Sequence, residues 1–463
     1  MRRRVAVTGL GVVSSIGQSV EELWRACLAG ESRVETIPES WLAYADFASR
    51  LWSPLPEPDW DAWGLGRIER LQNDRTALLA MVAAFQALEA AGIPRELRDE
   101  KRNTFGLEGF APERTGVSLG TGIGGISSAL RSTLHQALSR PKESLRGLRG
   151  RLGIVGAAEP GALELLDTTE KRLLAPARAN PFAVAMTMPN TATSALSIKL
   201  SILGPQRTHC AACASGTVAI GHGYRSIAAG ETDLVLAGGV EYLDDDYGAI
   251  FHSFDLARTL VRGEEAQRAN RPFDRARSGF LFSQGGGAVL VLEELEQAQG
   301  RGAPVLAEVA GFAETSDAYN LMVMEPEGRQ IARAIAGALA DAGLRPEEID
   351  YVNAHGTGTL ANDETEAAVL ARTFGSRPLV NSTKSLLGHT LGASGALEAV
   401  VTVLSLQHQT THACRNLEEP IADLNFVRRV ESHPIQNALS QSFAFGGHNA
   451  ALVFQRVPQG GPP

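Results

Sequence analysis

The sequence contains little cysteine and no long apolar run. Its 463 residues include only four cysteines, too few for a disulfide framework in so long a chain. We therefore expect a reducing compartment, the cytoplasm, and a thiol that is free to react. The longest apolar stretches, such as residues 234–240, are far shorter than the roughly 20 residues that cross a bilayer. No transmembrane helix and no membrane partner are predicted.

Positive charge is also scarce. The formal net charge is −9 at pH 7, which argues against a nucleic-acid partner because phosphate neutralisation needs a basic surface. An acidic partner must therefore meet a local basic patch. Arginines 2–4 precede an apolar run, as in a signal peptide, but Gly9 and Gly11 interrupt that run and we expect no export.

A dinucleotide-binding loop is missing as well. Gly9 and Gly11 end the first predicted strand, but Ser14 stands where the third glycine of such a loop would fall. No acidic residue closes a second strand at the required distance. A plain turn at the end of the strand is the prediction.

What the chain does contain is a doubled alternation of strands and helices. The first series predicts strands at residues 4–11, 115–120, 233–239 and 287–292, with helices at 20–28, 76–91 and 216–229. The second series predicts, in order, elements at residues 304–311, 328–342, 349–354 and 362–373. Alternation of this kind favours α/β layers. The weak echo of the first series in the second suggests two related halves joined around residues 297–303.

One segment breaks the alternation. Residues 141–181 are rich in Arg, Gly and Pro with short apolar pieces. The segment is interpreted as an insertion, and a surface loop with a short helix is preferred to a dedicated partner site.

Cys213 is the first residue for which chemistry is predicted. It lies between a short extended run and a helix that begins near Ala214. A helix N-terminus favours a thiolate and presents free N–H groups to an oxyanion, so Cys213 is a candidate nucleophile. Two other interpretations stay open at this point: an inert buried thiol, and half of a zinc site or redox pair with Cys210.

Two histidines occupy loops of similar composition. His355 follows a predicted strand in a Gly and Thr loop, and His389 does the same with Lys384 five residues ahead of it. One such histidine alone is more often structural, but two of them together with Cys213 resemble a catalytic constellation. Phe445 precedes paired glycines that let backbone amides approach a ligand.

These motifs resemble the signatures of the β-ketoacyl-(acyl carrier protein) synthases, most closely the elongating enzymes of type II fatty-acid and polyketide synthesis. The likeness spans nearly the whole chain in the expected order. It rests on Ala-Ala-Cys213-Ala-Ser-Gly-Thr, Asn-Ala-His355-Gly-Thr-Gly-Thr, Ser-Thr-Lys384-Ser-Leu-Leu-Gly-His389-Thr and Phe445-Gly-Gly.

The resemblance implies the thiolase fold, a five-layered α-β-α-β-α sandwich of two pseudo-symmetric halves. We expect an N-terminal half at residues 1–297 that carries the cysteine and a C-terminal half at 298–463 that carries both histidines. It also implies an acyl carrier protein as partner, and a homodimer or a heterodimer with a catalytically silent, chain-length-factor-like sister. No cofactor or metal is implied, because the substrates are carried on the phosphopantetheine of the carrier.

The same resemblance implies the chemical roles of six residues. Cys213 accepts the acyl group, and the backbone N–H groups of Cys213 and Phe445 hold the oxyanion. His355 and His389 stabilise the enolate that malonyl decarboxylation produces. Lys384 orders the site and is expected to pair with Glu366, since a buried ammonium needs a carboxylate partner.

Substrate contacts are implied as well. Thr357 and Thr359 are expected to bind the pantetheine arm. Phe445 matches the gatekeeping aromatic of the family, and Ile123 matches a position that limits the depth of the acyl pocket. Carrier docking is expected at the arginines ahead of the helix at 76–91: Arg67, Arg70 and Arg75.

Some positions depart from the family pattern. His448, Asn320 and Met322 stand where Thr, His and Thr are usual, and the segment 141–181 is long. A specialised polyketide or polyene pathway is therefore favoured over membrane fatty-acid synthesis. Two rival functions are a thiolase-type enzyme on coenzyme A esters, which needs a second cysteine as base, and a noncatalytic chain-length partner, which lacks the active cysteine.

Overall fold

The computed structural model describes residues 2–155, 160–173, 180–263 and 265–457. In these ranges ten strands form one mixed sheet. In chain order they are β1 (Val5–Val13), β2 (Thr115–Gly120), β3 (Gln206–His209), β4 (Leu234–Tyr242), β5 (Gly285–Glu294), β6 (Ala307–Ser316), β7 (Tyr351–Asn353), β8 (Leu379–Asn381), β9 (Asn437–Ala444) and β10 (His448–Gln455). Shorter strands outside this sheet are Glu35–Thr36, Leu51–Ser53, Arg95–Asp99, Thr104–Leu107, Phe282–Ser283, Thr410–Thr411 and Glu431–Ser432.

The large sheet contains one five-strand pattern twice. Its order is β8-β7-β9-β10-β6-β1-β5-β4-β2-β3, so β6 to β10 repeat the order of β1 to β5. The pairing directions repeat too: β1–β5 and β5–β4 are antiparallel, β4–β2 and β2–β3 are parallel, and their counterparts match. The two sets meet where β1 pairs antiparallel with β6.

The helices, in chain order, connect and cover these strands. They are α1 (Val20–Ala29), α2 (Arg67–Gln72), α3 (Arg75–Ala90), α4 (Ile126–Val155), α5 (Pro160–Arg172), α6 (Ala183–Thr187), α7 (Thr191–Lys199), α8 (Ser215–Ala228), α9 (Ala249–Leu256), α10 (Leu295–Gly300), α11 (Arg329–Ala342), α12 (Leu360–Phe374), α13 (Lys384–Leu387) and α14 (Ser394–His408). The predicted division between residues 297 and 298 falls within α10, between the two sets of strands, and stays a prediction.

The helices form three layers. In the middle layer α8 packs on β4 and β2, α14 packs on β9, and the two helices contact each other. On the outer face of the first half, α3 packs on β1, β5 and β4, and α7 packs on β2 and β3. On the outer face of the second half, α11 packs on β6 and β10, and α12 packs on α11. The two five-strand sets of the large sheet are the β layers between these helices. The order of layers is therefore α-β-α-β-α.

The two central helices approach each other closely at their first turns. Every residue of α14 from Ser394 to Leu406 is buried, as expected for a helix enclosed on all sides. A Cβ atom on Gly395 would lie 2.0 Å from Thr217 Oγ1, and one on Gly216 would lie 2.8 Å from the backbone nitrogen of Ala396. Glycine at these two positions brings the starts of α8 and α14 together.

The sequence predicted part of this set of elements, and the pair of helices α4 and α5 is among those that it missed. The strand predicted at residues 115–120 is β2 with the same bounds. The surface loop with a short helix predicted at 141–181 is wrong for the described part, because α4 continues through Pro141 and α5 follows it. Glu170 connects the two helices by ion pairs of 2.9 Å to both Arg146 and Arg149. Residues 156–159 and 174–179 of that segment lie outside the described residues.

Among the helices described above, none combines the length and the apolar character needed to cross a bilayer.

Candidate active site

A cavity of about 290 Å³ lies where the two halves meet. The first half contributes Cys213 to its lining, and the second half contributes His355 and His389. All three side chains are buried. The structure therefore brings the predicted nucleophile and both predicted histidines into one site.

Cys213 lies in the turn that begins the central helix α8. A 3-10 turn at Ala212–Ala214 leads directly into Ser215, the first residue of the helix. Ser215 Oγ stabilises this turn, since it accepts a hydrogen bond from the backbone N–H of Ala211 at 2.9 Å and donates to the carbonyl of Ala212 at 2.7 Å. The unpaired N–H groups of the first helical turn favour negative charge near the thiol.

The Cys213 thiol is protonated at rest. Burial raises its pKa to about 12, although the nearby Lys384 lowers it. His389 Nε2 lies 3.1 Å from the Cys213 sulfur, within reach of the thiol proton. A base in this position activates a thiol at the moment of attack.

His389 is a neutral imidazole. Burial, and then the charge of Lys384, holds its pKa well below 6.5. Its Nδ1 lies 2.9 Å from the hydroxyl oxygen of Ser394 at the start of α14. A hydroxyl can donate or accept a hydrogen bond, so Ser394 is compatible with either tautomer of His389.

His355 is neutral too, and Lys384 sets its tautomer. Burial lowers the pKa of His355 well below 6.5, and the charge of Lys384 lowers it further. Lys384 Nζ lies 3.1 Å from His355 Nδ1. A lysine ammonium donates hydrogen bonds and accepts none, so Nδ1 is the acceptor and the proton of the ring is on Nε2. The two imidazole rings are 5.6 Å apart, at an angle of 85°.

The predicted pair between Lys384 and Glu366 is wrong. Lys384 Nζ contacts Glu398 Oε1 instead, and both side chains are buried. Glu366 accepts hydrogen bonds from the backbone N–H groups of His355 and Gly356, each at 2.7 Å. Glu366 therefore holds the loop of His355, while Glu398 balances the charge of the lysine.

Glu398 was missed in the sequence although a signal was present. It lies four residues after Ser394 on α14, and residues four apart share one face of a helix. The face that contacts His389 through Ser394 therefore also presents Glu398 to Lys384. Burial raises the pKa of Glu398 to about 7, and Lys384 lowers it.

Removing only one member of the Lys384–Glu398 pair is expected to destabilise the protein strongly. Lys384→Met leaves a buried carboxylate without its cation, and the free energy of unfolding is expected to fall by about 3–5 kcal/mol. The double variant Lys384→Met, Glu398→Leu buries no charge there and is expected to recover most of that loss. Urea unfolding of both variants measures the difference, and equal stability of the single and double variants would contradict the pairing.

The other predicted site residues lie in two places. Thr357, Thr359 and Phe445 line the cavity, and the two threonine hydroxyls are 2.8 Å apart. Asn320 and Met322, two of the positions that depart from the family pattern, line it as well. The roles proposed for these side chains toward substrate stay predictions.

Ile123 and the three arginines are outside this lining. Ile123 follows β2 and is 38% exposed. Arg67 is exposed on α2, Arg70 pairs with Asp61 at 3.3 Å, and Arg75 pairs with Glu57. The docking role of the arginines stays a prediction.

The remaining cysteines do not share the cavity. Cys210 is exposed, and Cys414 is buried 3.9 Å from the carbonyl of Pro272. Among the described residues, no group of three or more His, Cys, Asp and Glu side chains is arranged to hold a metal ion.

A thiol that faces a neutral imidazole, with a second imidazole beside it, is the arrangement of an enzyme that passes acyl groups through a cysteine thioester. The fold and this site therefore define a cysteine-dependent acyltransferase.

Comparison with known proteins gives the family. Residues 2–298 match the model of the Beta-ketoacyl synthase, N-terminal domain, and residues 306–418 match that of the Beta-ketoacyl synthase, C-terminal domain. The chain is 35% identical to the 3-oxoacyl-[acyl-carrier-protein] synthase 2 of Vibrio cholerae, over 98% of this chain and 100% of that protein. The chain belongs to the β-ketoacyl synthase family.

Two solved structures support the same fold. A β-ketoacyl synthase from Burkholderia phymatum superposes with a TM-score of 0.79 at 32% identity, covering 98% of this chain and 100% of that one. The ishigamide ketosynthase/chain length factor superposes with a TM-score of 0.79 at 28% identity, covering 99% and 100% of the two chains. The predicted family and the predicted thiolase fold are confirmed.

Proposed function

We propose that this protein is a β-ketoacyl-(acyl carrier protein) synthase, which condenses an acyl group on Cys213 with malonyl-carrier protein and extends the chain by two carbons. The observation that carries the proposal is the 3.1 Å contact between His389 Nε2 and the Cys213 sulfur, with His355 in the same cavity. The test is reconstitution with acyl- and malonyl-carrier proteins, in which a β-ketoacyl-carrier two carbons longer is the expected product.

The first half-reaction is acyl transfer. The Cys213 sulfur attacks the thioester carbonyl of the acyl-carrier protein, and its proton passes through His389 Nε2 to the departing carrier thiolate. The backbone N–H groups of Cys213 and Phe445 stabilise the oxyanion of the tetrahedral intermediate. The product is an acyl thioester on Cys213 and a free carrier thiol.

The second half-reaction is decarboxylation and condensation. The malonyl thioester loses CO₂, and its carbonyl oxygen, now an enolate, accepts hydrogen bonds from the Nε2–H groups of His355 and His389. Lys384 keeps this proton on His355. His389 changes tautomer between the half-reactions: Nδ1–H donates to Ser394 during acyl transfer, and the Ser394 hydroxyl donates to Nδ1 during decarboxylation, which leaves Nε2–H free. The enolate carbon attacks the Cys213 thioester and expels the Cys213 thiolate, which takes up a proton from solvent.

Malonyl decarboxylation is expected to show no titration of an imidazole between about pH 6 and pH 8. Burial lowers the pKa of His355 and His389, and the neutral form is the one the reaction uses. That form is lost only as the pH falls through the lowered pKa, so neither histidine titrates in this window. Release of CO₂ from malonyl-carrier protein measures the profile, and a rate that falls as the pH rises through 6.5 would show that an imidazolium is required.

The contacts with substrate complete the proposal. Thr357 and Thr359 bind the pantetheine arm, Phe445 gates access to Cys213, and Ile123 limits the depth of the acyl pocket. The cavity position of Thr357, Thr359 and Phe445 supports their roles. The substrates arrive on the phosphopantetheine of the carrier, and no other cofactor is required.

The partners and the setting are part of the same proposal. The protein acts in the cytoplasm with an acyl carrier protein. It is either a homodimer or a heterodimer with a chain-length-factor-like sister. Each half of its fold is one domain, residues 1–297 and residues 298–463. A specialised polyketide or polyene pathway is favoured because Asn320 and Met322 line the cavity. A comparison of saturated and polyunsaturated acyl-carrier substrates tests this preference.

We propose Arg67, Arg70 and Arg75 as the docking site of the acidic carrier. Arg67→Glu is expected to raise the KM for acyl-carrier protein at low salt, because opposite charges steer association. The effect should shrink at high salt, since exposed charges are screened beyond about 8–10 Å. Arg333→Glu, an exposed arginine on the outer helix α11, is the matched control. A KM that Arg67→Glu leaves unchanged at low salt would place docking elsewhere.

The two rival functions are less well supported. A thiolase-type enzyme needs a second cysteine at the site, whereas Cys414 is outside the cavity lining. A noncatalytic chain-length partner lacks the active cysteine, whereas Cys213 is present beside His389.

A further inference from the structure

Glu241 is a buried carboxylate that the proposed mechanism does not use. It lies near the end of β4 and has no exposed surface. Oε1 accepts hydrogen bonds from the Thr121 hydroxyl at 3.0 Å and the Ile123 N–H at 3.3 Å. Oε2 accepts from the backbone N–H groups of Gly122 at 2.5 Å and Gly392 at 3.1 Å. All four groups donate their hydrogen bonds to the carboxylate.

These donors come from two loops on opposite halves of the fold. Thr121 to Ile123 follow β2 in the first half, and Gly392 lies in the 3-10 turn three residues after His389 in the second half. A Cβ atom on Gly122 or on Gly392 would lie 2.6 Å from Glu241 Oε2. Both loops are therefore packed directly against the carboxylate.

The first loop is also connected to the nucleophile. Ser215 Oγ contacts the carbonyl of Thr121 at 3.1 Å, and Ser215 begins the helix behind Cys213. Directly after this loop, α4 begins at Ile126, and Ile126 and Leu130 pack against the apolar cluster that contains Cys213. The position of the loop thus sets where α4 starts beside the acyl-bearing sulfur.

We propose that Glu241 is a positioning residue that determines acyl-chain specificity, because one carboxylate fixes both the loop of Ile123 and the turn after His389 relative to Cys213. The inference rests on the proposed condensing function. In this role Glu241 aligns the loop of Ile123 with the turn after His389, and it does not contact the substrate.

The hydrogen bonds require a carboxylate at this position. Burial raises the pKa of Glu241 to about 7 and the four donors lower it, so the donors stabilise the ionised form. In Glu241→Gln the carboxamide has one oxygen and one NH₂ group. The oxygen is expected to face the backbone N–H groups of Gly122 and Gly392, which cannot turn away. The NH₂ group then faces Thr121, whose hydroxyl can rotate to accept, and repels the N–H of Ile123.

The two substitutions at Glu241 therefore have different expected effects. Glu241→Gln releases chiefly the Ile123 loop, and Glu241→Ala releases that loop and the Gly392 turn. The ratio of kcat/KM between acyl-carrier substrates of different chain length is expected to change by about 10-fold in Glu241→Gln. This is the scale of one or a few methylene contacts. Malonyl decarboxylation should fall less in Glu241→Gln than in Glu241→Ala.

Glu293 provides a matched control. It is a fully buried glutamate on β5, bonded to Thr8 and Arg301. Glu293→Gln is expected to lower thermal stability and to keep the wild-type order of chain-length preference. An unchanged chain-length profile in Glu241→Gln, or parallel losses in all three variants that follow their stability, would overturn the inference.

Hydrogen exchange gives a readout that does not need activity. Amide exchange is expected to accelerate at residues 121–124 in Glu241→Gln, and at both 121–124 and 390–393 in Glu241→Ala. Unchanged exchange at 121–124 in both variants would also overturn the role of Glu241. A wild-type protein that does not condense, but whose variants show this exchange pattern, would instead contradict the proposed function.

Discussion

Replacing Cys213 with alanine is expected to abolish condensation and to leave the fold intact. The sulfur is the atom that carries the acyl group between the two half-reactions, and no other thiol lies in the cavity lining. The side chain is small and makes no ion pair, so the loss of stability is expected to be no more than about 1 kcal/mol, the centre of the range for single substitutions. Formation of β-ketoacyl-carrier product and thermal unfolding are the two measurements.

Cys210→Ala is the matched control for this result. Cys210 is three residues away and exposed, and it is outside the cavity lining. Near-normal condensation is expected in this variant. Equal loss of activity in the two variants, with metal released on denaturation, would revive the zinc interpretation of the Cys-x-x-Cys pair.

His355→Ala and His389→Ala are each expected to reduce CO₂ release from malonyl-carrier protein by at least ~10²–10³-fold, the scale for removing one oxyanion donor. Both imidazoles are neutral and line the cavity, so each can donate one N–H to the enolate oxygen. Both variants should still take up an acyl group on Cys213. His389→Ala should do so more slowly, since its Nε2 lies 3.1 Å from the sulfur.

Asparagine variants separate the donor role from simple loss of packing. His355→Asn and His389→Asn keep a side-chain N–H group and are expected to retain more decarboxylation than the alanine variants. Radiolabelled acyl-enzyme and released CO₂, measured on the same samples, distinguish the two half-reactions. A His389→Ala enzyme that decarboxylates at the normal rate would contradict the assignment, and a dispensable second histidine would favour the thiolase-type rival.

The sequence was sufficient to predict the parts of the site that have local signals. Cys213 follows an extended run and precedes a helix, and His355 follows a short apolar strand, so the position of each in an element is readable from neighbouring residues. The repeated strand and helix pattern of the sequence also indicated that the sheet contains one pattern twice. These features depend on residues that are close in sequence.

The partner of Lys384 could not be chosen in this way. Glu366 and Glu398 lie 18 and 14 residues away on two different helices, α12 and α14. Which of them reaches the ammonium depends on how the helices pack against the sheet. The same limit applies to Glu241, whose four donors come from residues about 120 and 150 positions distant.

The long helices after β2 were missed for a different reason. Pro141 and several glycines suggested a loop, because both residues weaken helices. In the structure α4 continues through Pro141. Packing and ion pairs between α4 and α5 outweigh the local preference, which is a tertiary effect that the pattern of residues does not reveal.

The most direct test of the central claim is the intact mass of the protein after incubation with acyl-carrier protein. The wild-type chain is expected to gain the mass of one acyl group, to lose it when malonyl-carrier protein is added, and to release a β-ketoacyl-carrier two carbons longer. The Cys213→Ala variant is expected to gain no mass. A wild-type chain that takes up no acyl group, or a Cys213→Ala variant that takes up the same group, would contradict the assignment of Cys213 as the acyl-bearing residue of a condensing enzyme.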